Sequence, residues 1–412
     1  MVQIAIMGYG VVGSGVAEVI QTHKKSLKSH SKNIIDIKYI LDLRDFPDSP
    51  FADRFTKNFE DIVNDSEIQI VVEAMGGLNP AYDFVKRCLQ AGKSVVTSNK
   101  ELIAEKGADL LNVALDNNVN LLFEASVGGG IPILRPLNQC LAANNFLEIA
   151  GILNGTTNYI LTKMINDNIP FDTALKQAQE LGYAERNPDC DVKGYDTCRK
   201  ICILSSLAYG EHIYPKNVYC EGIEKITLTD VKYADMYGGV IKLIGRTRRL
   251  ENGMLDITVC PMIIKKEHLL ASVNDVFNAI LVKGDSTGDV IFYGRGAGKL
   301  PTASAVVADV IDCVKHIHAR KYLYWEDSDN KNIMPYEYSM SRMYFRIKCE
   351  NINFALSKAT DLLGGITLIG TDEEELAFTM DKELPLKDIT KAENIMLDNN
   401  IEICSVIKLA DF

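Results

Sequence analysis

"QIAIMGYGVVGSGVAEVIQTHKKSL", residues 3–27, decides the fold. An apolar run of strand length (3–8) stops at a glycine-rich turn, and a stretch with helical spacing (14–27) follows at once. The turn, GYGVVG, sets Gly8, Gly10 and Gly13 in G-x-G-x-x-G spacing. The first glycine permits the tight turn, the second lets backbone approach a pyrophosphate, and the third lets helix pack on strand. Free amides at the helix start and the helix dipole favour phosphate charge there. Alone the motif is weak, since a glycine turn opens other doubly wound folds too. Its place inside a repeated strand–helix pattern points to a dinucleotide.

That pattern continues outward. "IIDIKYIL" (34–41), "EIQIVVEAM" (67–75) and "SVVTSNK" (94–100) read as strands, and "AYDFVKRCLQAG" (81–92) as a helix closed by glycine. "EKGADLLNVALDNN" and "VNLLFEAS" repeat the unit. The alternation predicts a Rossmann-type doubly wound parallel sheet over residues 1–123, completed by a helix at about 302–320. Residues 124–301 change character: glycine-rich turns, two helical patterns, and a hairpin turning at Glu251, Asn252 and Gly253. A second, α+β domain on a mixed or largely antiparallel sheet is expected there. Residues 321–338 are polar and aperiodic, a linker, and 339–412 spell a ferredoxin-like βαββαβ module.

The second strand ends in "LDLRD" (41–45). Asp42 suits a ribose 2′-hydroxyl, hence NAD, and Arg44 suits a 2′-phosphate, hence NADP; the sequence leaves both open.

Composition narrows the remaining classes. The chain has 412 residues, 47% apolar and 24% charged, the profile of a globular protein with two or three domains. A formal net charge of -11 argues against nucleic-acid or anionic-membrane partners. Ten cysteines without a C-x-x-C pair read as reduced thiols in a cytoplasmic protein. Neither a signal peptide nor a membrane-spanning run is expected.

Polar residues gather where a plain core would not want them. "TSNK" (97–100) brings Lys100 to the carboxyl end of a parallel strand, where such sheets bind ligands. "EASVGGGIP" (124–132) has three consecutive glycines, and "GILNGTTNYIL" (151–161) runs into a helix at Thr156 or Thr157. "AERNPDCDVKGYDTCRK" (184–200) packs four carboxylates and four cations ahead of an apolar run. Asp196 and Lys200 are four apart, one helix face, and the bland reading of such a pair is an exposed ion pair of about 0.3–0.5 kcal/mol.

In order, "GYGVVGSGV", "VVEAMGG", "VTSNK", "FEASVGGGIPI", "GILNGTTNYIL", "LGYAERNPDCDVKGYDTCRK" and "YGRGAGKLPTASAVVADV" resemble the successive signatures of homoserine dehydrogenase, from residue 1 to about 320. The tail is similar to the ACT regulatory domain of longer bacterial members. The resemblance implies NAD(P)-dependent interconversion of L-homoserine and L-aspartate 4-semialdehyde, on the route to threonine, methionine and isoleucine. Such a reaction needs a group that takes the hydroxyl proton, with a pKa near the working pH. None of the six histidines (23, 30, 212, 268, 316, 318) falls in a matched block. Lysine serves if burial or a nearby cation lowers its pKa from about 10.4.

By resemblance Lys200 is the acid/base lysine and Lys100 a second active-site lysine that also meets the cofactor. Glu185, Asp191 and Asp196 match the acids that bind homoserine. Cofactor contacts fall to Gly8, Tyr9, Gly10, Val11, Val12, Gly13, Arg44, Gly76, Gly182 and Gly298. Family members hold a sodium ion largely through backbone carbonyls, at positions matching Glu124, Val127, Gly129 and Ile131; oxygen-only coordination suits a hard cation. A homodimer or homotetramer is implied, with an amino-acid effector at the tail. Two departures stand out. Asn187 occupies a common Asp position, and "CENINFALSKA" (349–359) lacks the Pro-Gly pair of the usual ACT helix start, leaving threonine control open. Two other readings compete: a dehydrogenase for a related amino acid or semialdehyde, and a non-catalytic sensing module, against which Lys100, Glu185, Asp196 and Lys200 are all present.

Overall fold

The computed structural model describes residues 1–319, 323–372 and 375–412. The chain forms two compact units, each from discontinuous segments. The first comprises Met1–Phe146, Arg199–Pro215 and Lys283–Asn330; the second Leu147–Cys198, Lys216–Val282 and Lys331–Phe412.

The first unit carries six strands: β1 (Val2–Met7), β2 (Ile35–Leu41), β3 (Phe55–Thr56), β4 (Ile68–Glu73), β5 (Ser94–Thr97) and β6 (Leu121–Leu122). They lie in the order β3-β2-β1-β4-β5-β6, all neighbours parallel. This is the doubly wound sheet that the opening stretch predicts, and its reversal point falls beside β1. Ile4, Ala5, Ile6, Ile70, Val71 and Val72 are wholly buried, as expected of strands covered on both faces. The helix after β1 starts at Val11 rather than at 14. The helix Lys299–Lys315 packs against it: a Cβ on Gly15 would lie 3.1 Å from that of Ala303. The end of that predicted helix at 320 and the start of the predicted linker, 321 and 322, lie outside the described residues.

The second unit is built on a long mixed sheet. Its strands are β7 (Phe146–Ile152), β8 (Gly239–Arg249), β9 (Leu255–Lys265), β10 (Phe277–Gly284), β11 (Met343–Lys348), β12 (Ile366–Asp372), β13 (Glu375–Met380) and β14 (Glu402–Leu409), in the order β10-β7-β8-β9-β14-β11-β13-β12. The predicted hairpin is β8–β9, closed by Leu250 N–H to Met254 C=O at 2.8 Å with Gly253 at φ +83°. The tail strands and the helices Ile352–Leu363 and Leu386–Asp398 run βαββαβ, with tail strands ordered fourth, first, third, second. Arg346, buried on β11, reaches Asp230 and Glu375 at 2.8 Å each. The tail sheet is also joined to the central one, because β14 runs parallel to β9 through Met262–Lys408 and Ile263–Leu409.

Candidate active site

The glycine turn of the first unit has the shape a dinucleotide needs. Gly8 sits at φ +95°, and a Cβ on Gly13 would stand 1.9 Å from the carbonyl oxygen of Gly8. Gly10 caps the helix start without a side-chain hydrogen bond, and a Cβ there would meet nothing within 4 Å. Open space therefore faces the free amides at the start of Val11–Thr22, a cradle for a pyrophosphate. A cavity of about 510 Å³ adjoins it, lined among others by Gly8, Gly10, Asp42, Arg44 and Lys57. Tyr9 donates its amide to Asp42 at 2.8 Å, and its ring meets Phe46 and Phe55 edge-on. Arg44 clasps Asp42 through Nε (3.0 Å) and Nη2 (2.9 Å) and holds that carboxyl far below the usual range. With the Tyr9 and Arg44 amides also donating, Asp42 has four donors and little capacity for a ribose hydroxyl while Arg44 stays folded on it.

Glu73, at the end of β4 and fully buried, was not singled out by the sequence. Its carboxylate takes the Thr97 hydroxyl at 2.5 Å and the amides of Met75 and Gly76 at 2.8 and 3.1 Å, while burial pushes its pKa up. It thus fixes the Gly76–Gly77 turn, where both glycines have positive φ. Asn99 spans that turn and the next helix: its amide donates to Gly77 C=O at 2.7 Å and its oxygen caps Leu102 N–H at 3.1 Å. Lys100 is consequently the first residue of the helix Lys100–Asp116, half-buried, not the last of a strand. An Asn side chain that caps ends the strand early at Thr97.

The turn at 124–131 is buried up to Gly129, with Gly128 and Gly129 at φ +74° and +55°. A Cβ on Gly129 would lie 2.4 Å from the Gly296 carbonyl, so the GRGAG loop closes against it. The Glu124 carboxylate receives the amides of Ile133, Leu134 and Arg135 at 2.6, 2.9 and 2.8 Å, so its side chain is committed to the turn that follows. Asp309 on the helix Lys299–Lys315 holds the Glu124 amide at 2.8 Å and pairs with Arg135 at 2.5 Å. Burial, then the Glu124 charge, pushes Asp309 up to about 7. Backbone oxygens at Glu124, Val127, Gly129 and Ile131 would suit a hard cation. Among the described residues no cluster of three or more His, Cys, Asp or Glu could hold a metal through side chains. Gly298, at φ +124°, precedes the first turn of that same helix.

The second unit brings Asp191 and Asp196 together. Asn154, which the sequence reading passed over, donates one Nδ2 to Asp191 Oδ1 at 2.7 Å and to Asp196 Oδ2 at 2.8 Å. Its Oδ1 accepts the Thr157 amide at 2.8 Å and caps the helix Gly155–Asp167. One amide nitrogen thus bridges the two carboxylates, each through a charge-assisted hydrogen bond. The signal was present in "LNGTTN", an Asn immediately before a helix. Thr156 hydrogen-bonds the Tyr183 carbonyl at 2.7 Å and so ties this helix start to the loop carrying Glu185, which is exposed. Gly182, at φ +74°, closes the helix Phe171–Glu180. Asp196 and Lys200 share the helix Tyr195–Tyr209 and are only 2% and 7% exposed.

A family model described as "Homoserine dehydrogenase" matches residues 132–311, and one described as "Homoserine dehydrogenase, NAD binding domain" matches 8–124. A homoserine dehydrogenase of Synechocystis sp. is 41% identical over 364 residues, 85% of this chain and 84% of its own. A crystal structure of the Thiobacillus denitrificans homoserine dehydrogenase superposes with a TM-score of 0.92 at 34% identity, covering 100% of this chain and 98% of that one. A hyperthermophilic archaeal homoserine dehydrogenase in complex with NADPH gives 0.65 at 28% identity over 76% of this chain and 97% of its own.

Proposed function

The chain belongs to the homoserine dehydrogenase family, and on that premise we propose that Lys200 is its proton-transfer group. The enzyme interconverts L-homoserine and L-aspartate 4-semialdehyde with NAD(P), on the route to threonine, methionine and isoleucine. A bound nicotinamide would supply the hydride acceptor or donor for the substrate carbon that bears oxygen. Lys200 takes the hydroxyl proton in the oxidation and returns it to the carbonyl oxygen in the reduction, with Lys100 as the second active-site lysine. Asp191, Asp196 and Glu185 receive the substrate α-ammonium.

The observation that supports this reading is that Asp196 and Lys200 lie one turn apart on one helix, both buried, inside the segment that the homoserine dehydrogenase family model matches. Lys200→Ala tests it: homoserine-dependent NAD(P)H formation should fall to near background while circular dichroism and thermal unfolding stay at wild type. Wild-type activity in that variant overturns the assignment.

The finer expectations follow the same reading. The amides at Val11, Val12 and Gly13, with Gly8, Tyr9, Gly10, Arg44, Gly76, Lys100, Gly182 and Gly298, hold the dinucleotide. Carbonyls at Glu124, Val127, Gly129 and Ile131 hold sodium. Residues 1–123 with the helix near 302–320 form the cofactor domain, 124–301 the catalytic and dimerisation domain, 321–338 a linker, and 339–412 an ACT-like effector domain. The protein works in the cytoplasm as a homodimer or homotetramer. Among the described residues no helix is long and apolar enough to cross a membrane.

A further inference from the structure

We propose that Asn154 is a positioning residue for substrate recognition: it sets the spacing of Asp191 and Asp196 so that the pair binds the α-ammonium. The inference rests on the assignment of those acids to the ammonium. Asn154 is 5% exposed, and both ends of its amide are committed. Oδ1 accepts from the Thr157 amide at 2.8 Å and its hydroxyl at 3.0 Å, so the amide cannot flip without turning its NH2 toward those donors. Nδ2 then has both hydrogens directed at carboxylates, one on each acid. An amide with this bonding pattern is a neutral clamp on two like charges. It holds one oxygen from each within two hydrogen-bond lengths and so fixes how far apart the two acids stand. Its orientation is inherited from the helix Gly155–Asp167, because the capping oxygen and the clamping nitrogen belong to one planar group. Thr156, bonded to Tyr183 C=O, adds the loop that leads to Glu185.

The clamp and the cap can be separated, because Ser caps a helix as well as Asn does. Asn154→Ser keeps the cap and deletes the bridging NH2. Steady-state kinetics would compare homoserine with 4-hydroxybutanoate, its analogue without the ammonium, used as a competitive inhibitor. In the wild type homoserine should bind far better than the analogue. In Asn154→Ser the KM for homoserine should rise at least tenfold, kcat should fall less than threefold, and the inhibition constant of 4-hydroxybutanoate should stay within twofold. A structural role alone would weaken both ligands together, and that result overturns the proposal. So does an unchanged KM. Asp196→Asn, run alongside, separates the two failures. Lost discrimination in Asp196→Asn with none in Asn154→Ser removes the role of Asn154 only. Full discrimination in both removes the assignment of the acids as well.

Discussion

Two alanines in one turn should fail in different ways. At Gly10 a new Cβ meets nothing within 4 Å, and the backbone (φ -78°) is open to any residue. Stability should be unchanged, or rise by about 0.4–1 kcal/mol through the unfolded chain. The methyl would nevertheless fill the space in front of the helix amides, where a pyrophosphate must come close. Losing that approach should raise the dissociation constant for NADPH at least tenfold, about 1.4 kcal/mol. At Gly13 the Cβ stands 1.9 Å from the Gly8 carbonyl oxygen and 3.4 Å from Ile6 Cγ2. Backbone is the first obstacle, so the helix must move off the strand, an overpacking strain of about 1–3 kcal/mol. Gly13→Ala should therefore lose both stability and cofactor. Nucleotide fluorescence titration and urea unfolding of both variants separate the cases. NADPH binding at wild-type strength in Gly10→Ala would refute the reasoning, since the open space would then not be where the phosphates sit.

Arg44→Ala should weaken NADP(H) about tenfold while changing NAD(H) no more than threefold, because it removes a cation beside the ribose end and releases Asp42 to accept a hydroxyl; KM values for both cofactors test this, and equal losses contradict it. His212 is buried, accepts Trp325 Nε1 at 2.8 Å, and is pushed below its usual pKa by desolvation. A group depressed in the folded state contributes stability above its unfolded pKa of about 6.5 that is lost as pH falls, at most about 1.4 kcal/mol per unit. Urea unfolding at pH 7.5 and 5.5 should show the wild type losing more than His212→Gln; parallel losses contradict it.

The parallel sheet was legible because its signal is local. β1, β4 and β5 are short runs rich in Val and Ile with a glycine turn or a capping Asn just beyond them, and the G-x-G-x-x-G spacing fixes the first crossover. Lys100 was misplaced by a strand end because the apolar run "SVV" says where burial begins but not that Asn99 caps the next helix. The pairing of β14 with β9 was not legible at all: Lys408 opposite Met262 is a contact between segments 146 residues apart, and neither strand's alternation encodes its neighbour. Asp309 offered a weaker hint. It is one carboxylate on the apolar face of "TASAVVADVIDCV", but its partners Glu124 and Arg135 lie in a distant block.

The charged stretch 184–200 shows where spacing stops being informative. It contains Asp and Lys four residues apart twice, at 189 and 193 and again at 196 and 200. The first pair is a salt bridge at 2.8 Å with side chains 50% and 39% exposed, worth a few tenths of a kcal/mol in water. The second pair has the same spacing and is buried. What separates them is the phase of the helix that follows. Cys198, Ile201, Cys202 and Leu204 are buried in the helix Tyr195–Tyr209, and Asp196 and Lys200 fall among them, whereas 189 and 193 belong to a separate single turn, Asp189–Val192, and its cap. Burying two charges is expensive unless they are paired or used. A chain that did so only for stability would do better with apolar residues there. On the assignment proposed above, the acids held by Asn154 together with Glu185 receive the ammonium and Lys200 the proton, so this half of the stretch carries its charge for a substrate. The pair Asp189–Lys193, at the same spacing, is charged toward water.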